Sequence, residues 1–242
     1  MTTMKKQSHV IPLSIELNEH EQCAEIFENL FLTSDGNSVG CDIWRALVGD
    51  ERLYDNCLGE NFNQLLHTIH DDWFGNSAWK ETSIEFYNTT YIFWLYLVVA
   101  RVNEVFDTID PKGTNQLVQK KRRSLSTFHE INLWAIFSKH PKEFIYAHWP
   151  EASCEGRTHS RTRSTAIRIN TAYLKAHYSS ESDKRPIELK NHTNVVVEYP
   201  KLTRLTEGLV KDFLAFRDFI CKNEMVIDEL KKDTNVPFEN VR

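Results

Sequence analysis

The sequence predicts a mainly α-helical protein, a bundle of four to five main helices with an irregular basic loop. The 242 residues include only 8 glycines and 7 prolines, too few for the frequent tight turns of a β-sandwich or barrel. Apolar residues make up 41% of the chain, and in several long segments they recur at steps of three and four, as on a helix face. These features predict a single helical domain over residues 18–232, with a core bundle at 79–232 and tails at 1–17 and 233–242.

A capping signal predicts where the first helix begins. The side chain of Asn18 can accept a hydrogen bond from a first-turn amide, and Glu21 occupies the capping-box position. An apolar stripe through Ile26 and Leu30 then continues to a helix end near Thr33. Two shorter helices are expected around residues 43–48 and 62–69.

The strongest helical signal runs over residues 79–110. Its apolar seam comprises Ile84, Tyr87, Tyr91, Trp94, Val98, Arg101 and Val105. Arg101 on this seam predicts a buried guanidinium, which needs a partner from another helix or acts as a phosphate-binding group. Pro111 and Gly113 end the helix.

Thr127 and Glu130 form a second capping-box signature, which predicts a helix that starts there and ends near His140, before Pro141. A further short helix is expected at 142–149. Residues 151–194 predict a basic loop that can include a short strand or helix, and residues 195–197 a brief extended segment. A long amphipathic helix over 201–232 completes the bundle.

The charge is distributed unevenly along the chain. Residues 1–110 carry 6 Lys/Arg and 18 Asp/Glu, whereas residues 111–242 carry 23 and 16. A basic half of this kind favours an anionic partner, such as RNA or another nucleic acid. The alternative is that the acidic half simply packs against the basic half.

Other signals exclude several classes of protein. The five cysteines are irregularly spaced without a CxxC, which predicts reduced thiols, a cytoplasmic location and no zinc site. His67 and Asp71 share a helix face but lack a convincing third ligand, so no metal is expected. Signatures of nucleotide-binding loops and of serine or metal hydrolases are absent, and no cofactor is expected. Apolar runs are too short for a membrane span.

The residues that point most directly to chemistry are Arg122, Arg123 and His129. Arg123 and His129 are separated by five residues and Arg122 and His129 by six. A guanidinium can hold a phosphate through charged hydrogen bonds, and an imidazole can move a proton near neutral pH. These groups together are sufficient for cleavage of RNA without a metal. The alternative interpretation is a solvated charge run followed by an ordinary surface histidine.

A helical bundle with this arginine–histidine spacing resembles the HEPN domains, many of which are ribonucleases of toxin–antitoxin and antiviral systems. The resemblance covers about residues 80–232 and includes a polar residue, Ser124, directly after the arginine. It implies a homodimer whose paired motifs share one site, with Arg123 binding phosphate and His129 handling protons. In the family the motif lies well inside a helix, whereas here a helix is predicted to start between Arg123 and His129.

Two further groups are candidates for the same function. Lys139 and His140 resemble a Lys-His pair at a helix end in some HEPN-like bundles, although His140 can equally be a structural residue at the helix junction. The basic loop offers Arg157, Arg161, Arg163 and Arg168 as phosphate contacts, or as partners of the acidic half.

The resulting hypothesis is a metal-independent HEPN-like ribonuclease that acts as a toxin or antiviral effector. Its catalytic candidates are Arg123, His129, Arg122 and His140, with Lys139 and the loop arginines as nucleic-acid contacts. The alternative is a non-catalytic helical subunit that binds protein or nucleic acid in a larger, defence-related complex.

Overall fold

Helices dominate the part of the chain that the structure describes, which confirms the predicted fold class. In the computed structural model these residues are 13–32, 36–49, 53–76, 82, 84–139, 152–154, 166–170, 194–198 and 200–240. The helices are α1 (Leu13–Phe27), α2 (Gly40–Val48), α3 (Cys57–Thr68), α4 (Ile84–Ile109), α5 (Gln116–Ser124), α6 (Ser126–Lys139), α7 (Leu202–Cys221) and α8 (Glu224–Thr234). A π-helical turn, Ile69–Phe74, extends α3, and short 3-10 turns follow α1 and the last strand.

Helix α7 lies at the centre of the bundle and buries mostly apolar side chains. It packs against α1, α2, α4, α6 and α8. Its buried face confirms the predicted seam: Leu205, Leu209 and Phe213 have no exposed surface. The rings of Phe62 and Phe213 lie 5.3 Å apart between centroids. Burial of each such side chain contributes roughly 1.5–3 kcal/mol, so this aromatic core holds the helices together.

The predicted final helix over 201–232 is two helices. Helix α7 ends at Cys221, and α8 begins at Glu224. Asn223 separates them, because its side chain accepts a hydrogen bond from the amide of Val226 at 3.4 Å and so caps the second helix.

Helix α4 confirms the long central helix, but the prediction for Arg101 is wrong. Its buried face runs through Tyr91, Leu95, Val98 and Val102, and the step after Val98 is four residues. Because one residue turns a helix by about 100°, Arg101 points away from this face. It is exposed and pairs with Glu104, Nη1 to Oε2, at 2.6 Å.

Helix α1 begins at Leu13, five residues before the predicted start at Asn18. It packs along α7, and packing of a helix in the tertiary structure outweighs a local capping signal. Residues 142–149, where a further helix was predicted, lie outside the described residues.

The strands form two small antiparallel sheets. Strand β1 (Tyr54–Asn56) pairs with β5 (Asn235–Pro237), so Tyr54 lies opposite Pro237. Residues 235–237, assigned to a tail from the sequence, are therefore part of the fold. In the other sheet β4 (Asn194–Glu198) lies between β2 (Ala152–Cys154) and β3 (Ala166–Asn170). This confirms the extended segment at 195–197 and places two strands within the segment predicted as a loop.

No helix of the described residues combines the length and the apolar character that crossing a bilayer requires.

Candidate functional site

A turn between α4 and α5 is organised by the carboxylate of Asp110. It accepts hydrogen bonds from the amides of Thr114 at 2.9 Å and Asn115 at 3.1 Å, and from the side chain of Gln119 at 2.8 Å. The hydrogen bond from Gln119, together with those from the backbone, lowers the pKa of Asp110. The side chain of Asn115 in turn caps α5. This turn fixes the direction in which α5 carries its basic residues.

The start of α6 is held by a residue from another helix, so the predicted capping box is wrong. The Oδ2 atom of Asp212 on α7 accepts hydrogen bonds from the amides of Thr127 at 2.8 Å and Phe128 at 3.3 Å. Glu130, the predicted capping partner, instead pairs with Arg204. Burial raises the pKa of the Asp212 carboxyl, against the effect of these hydrogen bonds.

Close packing of α6 on α7 allows this contact. A Cβ atom at Gly208 would lie 2.4 Å from Oγ1 of Thr127, a distance that overlaps the van der Waals radii. A glycine at this position therefore brings the start of α6 within reach of Asp212.

The structure brings the predicted arginines and histidine together around one pocket of about 540 Å³, formed where α4, α5 and α6 meet. Its polar lining residues are Asn103, Arg122, Arg123, Ser126, His129 and Asn132. Its apolar lining residues are Phe106, Leu125 and Phe128, each at most 5% exposed. The exposed Arg123 and His129 thus stand at the rim of a cavity whose floor is apolar.

Helical structure on both sides of Leu125 produces this convergence. The helix start predicted between the arginines and His129 exists, but Arg122 and Arg123 also lie on a helix, the last turn of α5. Leu125, which is 3% exposed, lies between the two helices and separates them. The arginines and His129 therefore meet across a break between helices instead of along one continuous helix.

The two arginines of the pocket differ in their side-chain partners. Arg122 donates from Nη1 to Oδ1 of Asp107 at 2.7 Å. Arg123, like His129, has no side-chain partner among the described residues. The two amides at the start of α6 are already bound by Asp212. A bound anion therefore finds its charged contacts in the guanidinium groups and not in the helix start.

The other predicted site residues lie elsewhere. Lys139 is at the far end of α6, about 15 Å along the axis from His129, with its Nζ 3.9 Å from the ring centroid of Tyr96. Arg168 belongs to β3, where its backbone lies opposite Val196. The remaining candidates lie outside the described residues: His140, Arg157, Arg161 and Arg163.

His70 joins the π-helical turn after α3 to the 3-10 turn after α1. His70 bonds through Nε2 to Glu28 at 2.6 Å and through Nδ1 to Asp71 at 2.7 Å. Partial burial lowers the pKa of His70, but the hydrogen bonds to the two carboxylates outweigh it and leave the pKa raised. His67 lies 3.9 Å from Asp71. Across the described residues, no group of three ligating side chains could hold a metal ion.

Sequence reasoning missed four polar residues around the pocket. Asn103, Ser126 and Asn132 line it, and Asp107 binds Arg122. Their spacing carried a signal: Asn103 and Asp107 lie one turn apart on α4, and Asn132 lies one turn after His129 on α6. Each polar pair therefore shares one face of its helix, and α4 packs against α6.

Comparisons of this chain with protein-family models, with curated proteins and with solved structures found no match.

Proposed function

We propose that this protein is a metal-independent endoribonuclease that resembles the HEPN domains and uses the pocket between α4, α5 and α6. The observation that carries the proposal is the convergence of Arg122, Arg123 and His129 on one cavity. This combination offers positive charge for a phosphodiester and a titratable ring for proton transfer, beside an apolar floor. The cavity size lies within the range of about 300–1,000 Å³ typical of ligand sites.

In the proposed reaction the ribose 2′-hydroxyl attacks the adjacent phosphorus. The neutral imidazole of His129 takes the hydroxyl proton while the bond from the 2′ oxygen to phosphorus forms. Arg123 binds the non-bridging phosphate oxygens and stabilises the charge that develops on them. The bond from phosphorus to the 5′ oxygen breaks, and the 5′ oxygen takes a proton from water. Arg122 and His140 are supporting candidates.

The same resemblance supports proposals about the assembly and the role of the protein. In a homodimer the second copy's His129, in its imidazolium form, replaces water as the donor of the proton that the leaving 5′ oxygen takes. A cytoplasmic toxin or antiviral effector is the role that fits an RNA-cleaving activity of this type. The basic segment with Arg157, Arg161, Arg163 and Arg168 is proposed to extend the contact with RNA.

His129→Ala is the direct test of the proposed nuclease. We expect purified wild-type protein to cleave a mixed RNA pool in the presence of a chelator, and His129→Ala to cleave it about 10²–10⁴-fold more slowly. Because the His129 side chain is exposed, the thermal melting temperature of the variant should stay near that of the wild type. Gel analysis of end-labelled RNA measures the rate.

His67→Ala is the matched control, since His67 is a histidine on α3 outside the pocket. It should cleave like the wild type. Wild-type protein that leaves varied RNAs intact with and without chelator would overturn the nuclease. Salt-dependent RNA binding in the same preparation would then favour the alternative, a non-catalytic binding subunit.

A further inference from the structure

We propose that Asn103 and Asn132 recognise a nucleobase next to the scissile phosphate, so that cleavage depends on the identity of that base. This inference rests on the proposed ribonuclease function and adds specificity-determining residues to the same site. Neither asparagine belongs to the arginine–histidine motif. Both line the pocket, on α4 and α6 respectively.

The size of the pocket indicates that it holds more than a phosphate. A water molecule takes about 30 Å³ of liquid, so a cavity of about 540 Å³ has room for many times the volume of one phosphate group. A nucleotide, with roughly 20 non-hydrogen atoms, is a ligand of the appropriate size for such a cavity. The arginines at the rim account for the phosphate, and the remaining volume lies against Phe106 and Phe128.

The two asparagines have unused hydrogen-bonding capacity. Both are half-buried in helix interiors, and neither side chain has a hydrogen-bond partner among the described residues. Other asparagines use their amides for local structure: Asn56 caps α3, Asn115 caps α5 and Asn223 caps α8. Because no described protein group uses them, the two amides at the pocket are available to a ligand.

The chemistry of the amide group selects a nucleobase. Each asparagine offers one acceptor oxygen and two N–H donors, which match the mixed donor and acceptor edge of a base. Phe106 and Phe128, each at most 5% exposed, make the inner wall of the pocket apolar. Asn132 follows His129 by one helical turn, so a base held by the amides lies beside a phosphate held at the rim.

Binding of small ligands tests the asparagines directly. The probes are the four nucleoside 3′-monophosphates and ribose 5-phosphate, titrated by calorimetry into wild-type protein, Asn103→Ala, Asn132→Ala and the control Asn29→Ala. We expect at least one nucleotide to bind the wild type about ten-fold or more tightly than ribose 5-phosphate does. Each pocket variant should lose this preference and retain its affinity for ribose 5-phosphate, whereas the control keeps both.

Cleavage of RNAs that differ only in the bases flanking one scissile bond separates this inference from the proposed function. The inference is supported if both pocket variants cleave all of these RNAs at the same rate, namely the rate at which the wild type cleaves its poorest substrate. Equal binding of all five ligands, or a preference that survives both substitutions, overturns the asparagine assignment while cleavage by His129 stands. Base-selective binding that needs both asparagines, without any RNA cleavage, overturns the nuclease and leaves the base-recognition site in place.

Discussion

Arg122 and Arg123 are neighbours in the chain but have different surroundings. The side chain of Arg122 is 36% exposed and is paired with that of Asp107, which is 64% exposed. Arg123 has no side-chain partner in the described part of the chain. An exposed ion pair of this kind is worth about 0–1 kcal/mol, so an incoming phosphate can displace Asp107 at little cost.

Removal of the Asp107 charge should release Arg122 for RNA. We expect Asp107→Asn, in a His129→Ala background that prevents cleavage, to bind single-stranded RNA more tightly. One added phosphate contact should steepen the slope of log K against log salt by about 0.7. Fluorescence anisotropy at several salt concentrations measures the slope.

Glu104→Gln is the matched control for Asp107→Asn. It removes a carboxylate from the same helix and frees Arg101, which does not line the pocket. Its salt slope should equal that of the His129→Ala parent. An unchanged slope in Asp107→Asn would show that Arg122 does not contact RNA.

Residue identity and spacing pointed to Arg122, Arg123 and His129, which lie around one pocket, but they left open a solvated charge run with a surface histidine. They were not sufficient for Arg101. After Val98, a step of three leads to Arg101 and a step of four leads to Val102. Periodicity permits both, and packing on neighbouring helices decides which residue is buried. The asparagines were overlooked because the amide of an asparagine has no charge or titration to distinguish it.

At the scale of elements, α6 depends on α7 in two ways. Gly208 permits the close approach, and Asp212 binds the amides of Thr127 and Phe128. Since His129 follows directly, the carboxylate of Asp212 positions the first turn that carries the proposed base. The helix that carries the proposed catalytic histidine is thus oriented by a helix that does not line the pocket.

Asp212→Ala should destabilise the fold by about 1–3 kcal/mol, because two amides lose their acceptor. Asp212→Asn, which keeps an acceptor oxygen, should lose less. Urea denaturation followed by circular dichroism measures both. If Asp212→Ala unfolds like the wild type, the carboxylate does not hold the start of α6.

The difference in free energy of unfolding between the wild type and Asp212→Asn should depend on pH. Burial raises the pKa of Asp212 above its ordinary value of 3.8, so just above that pH the folded state binds more protons than the unfolded state. The free energy of unfolding of the wild type should therefore fall, relative to Asp212→Asn, as the pH rises from about 4 through the folded pKa. A constant difference between the two proteins would contradict the shift.

The existence of α4 and α7 followed from apolar periodicity, because each buries a continuous face, whereas α6 was predicted from the Thr127 and Glu130 signature and from Pro141. Their ends followed less well. The start of α6 depends on Asp212, which lies 85 residues after Thr127 in the chain, and no local pattern can reveal such a cap. The division of the last helix was visible in principle, since Asn223 is a good capping residue.

At the scale of the whole molecule, Asn56 joins two distant parts of the chain. Its Nδ2 atom donates to Thr234 Oγ1 at 2.7 Å and to Asn235 Oδ1 at 2.6 Å, while its Oδ1 atom accepts from the amide of Gly59 at 2.9 Å. Asn235 also donates to the carbonyl of Leu47 at 2.9 Å. The residue that follows α8 is thereby fixed to β1 and α2, whereas the sequence predicted a tail there.

Loss of this junction should affect global stability. We expect Asn56→Ala to lower the free energy of unfolding by about 1–3 kcal/mol, because buried polar groups lose their partners. Asn29→Ala, which removes only a bond to Ile26 of the preceding turn, should change it by less than about 0.5 kcal/mol. Chemical denaturation of both variants provides the comparison, and equal stabilities would contradict a structural role for Asn56.

The reach of Asp212 back to Thr127 has a consequence for protein synthesis. A ribosome that adds about 5–20 residues per second makes Asp212 several seconds after Thr127, because 85 positions separate them. During that interval a nascent chain already contains both arginines and His129 but lacks the carboxylate that anchors α6. Completion of the pocket is thus timed by translation of α7.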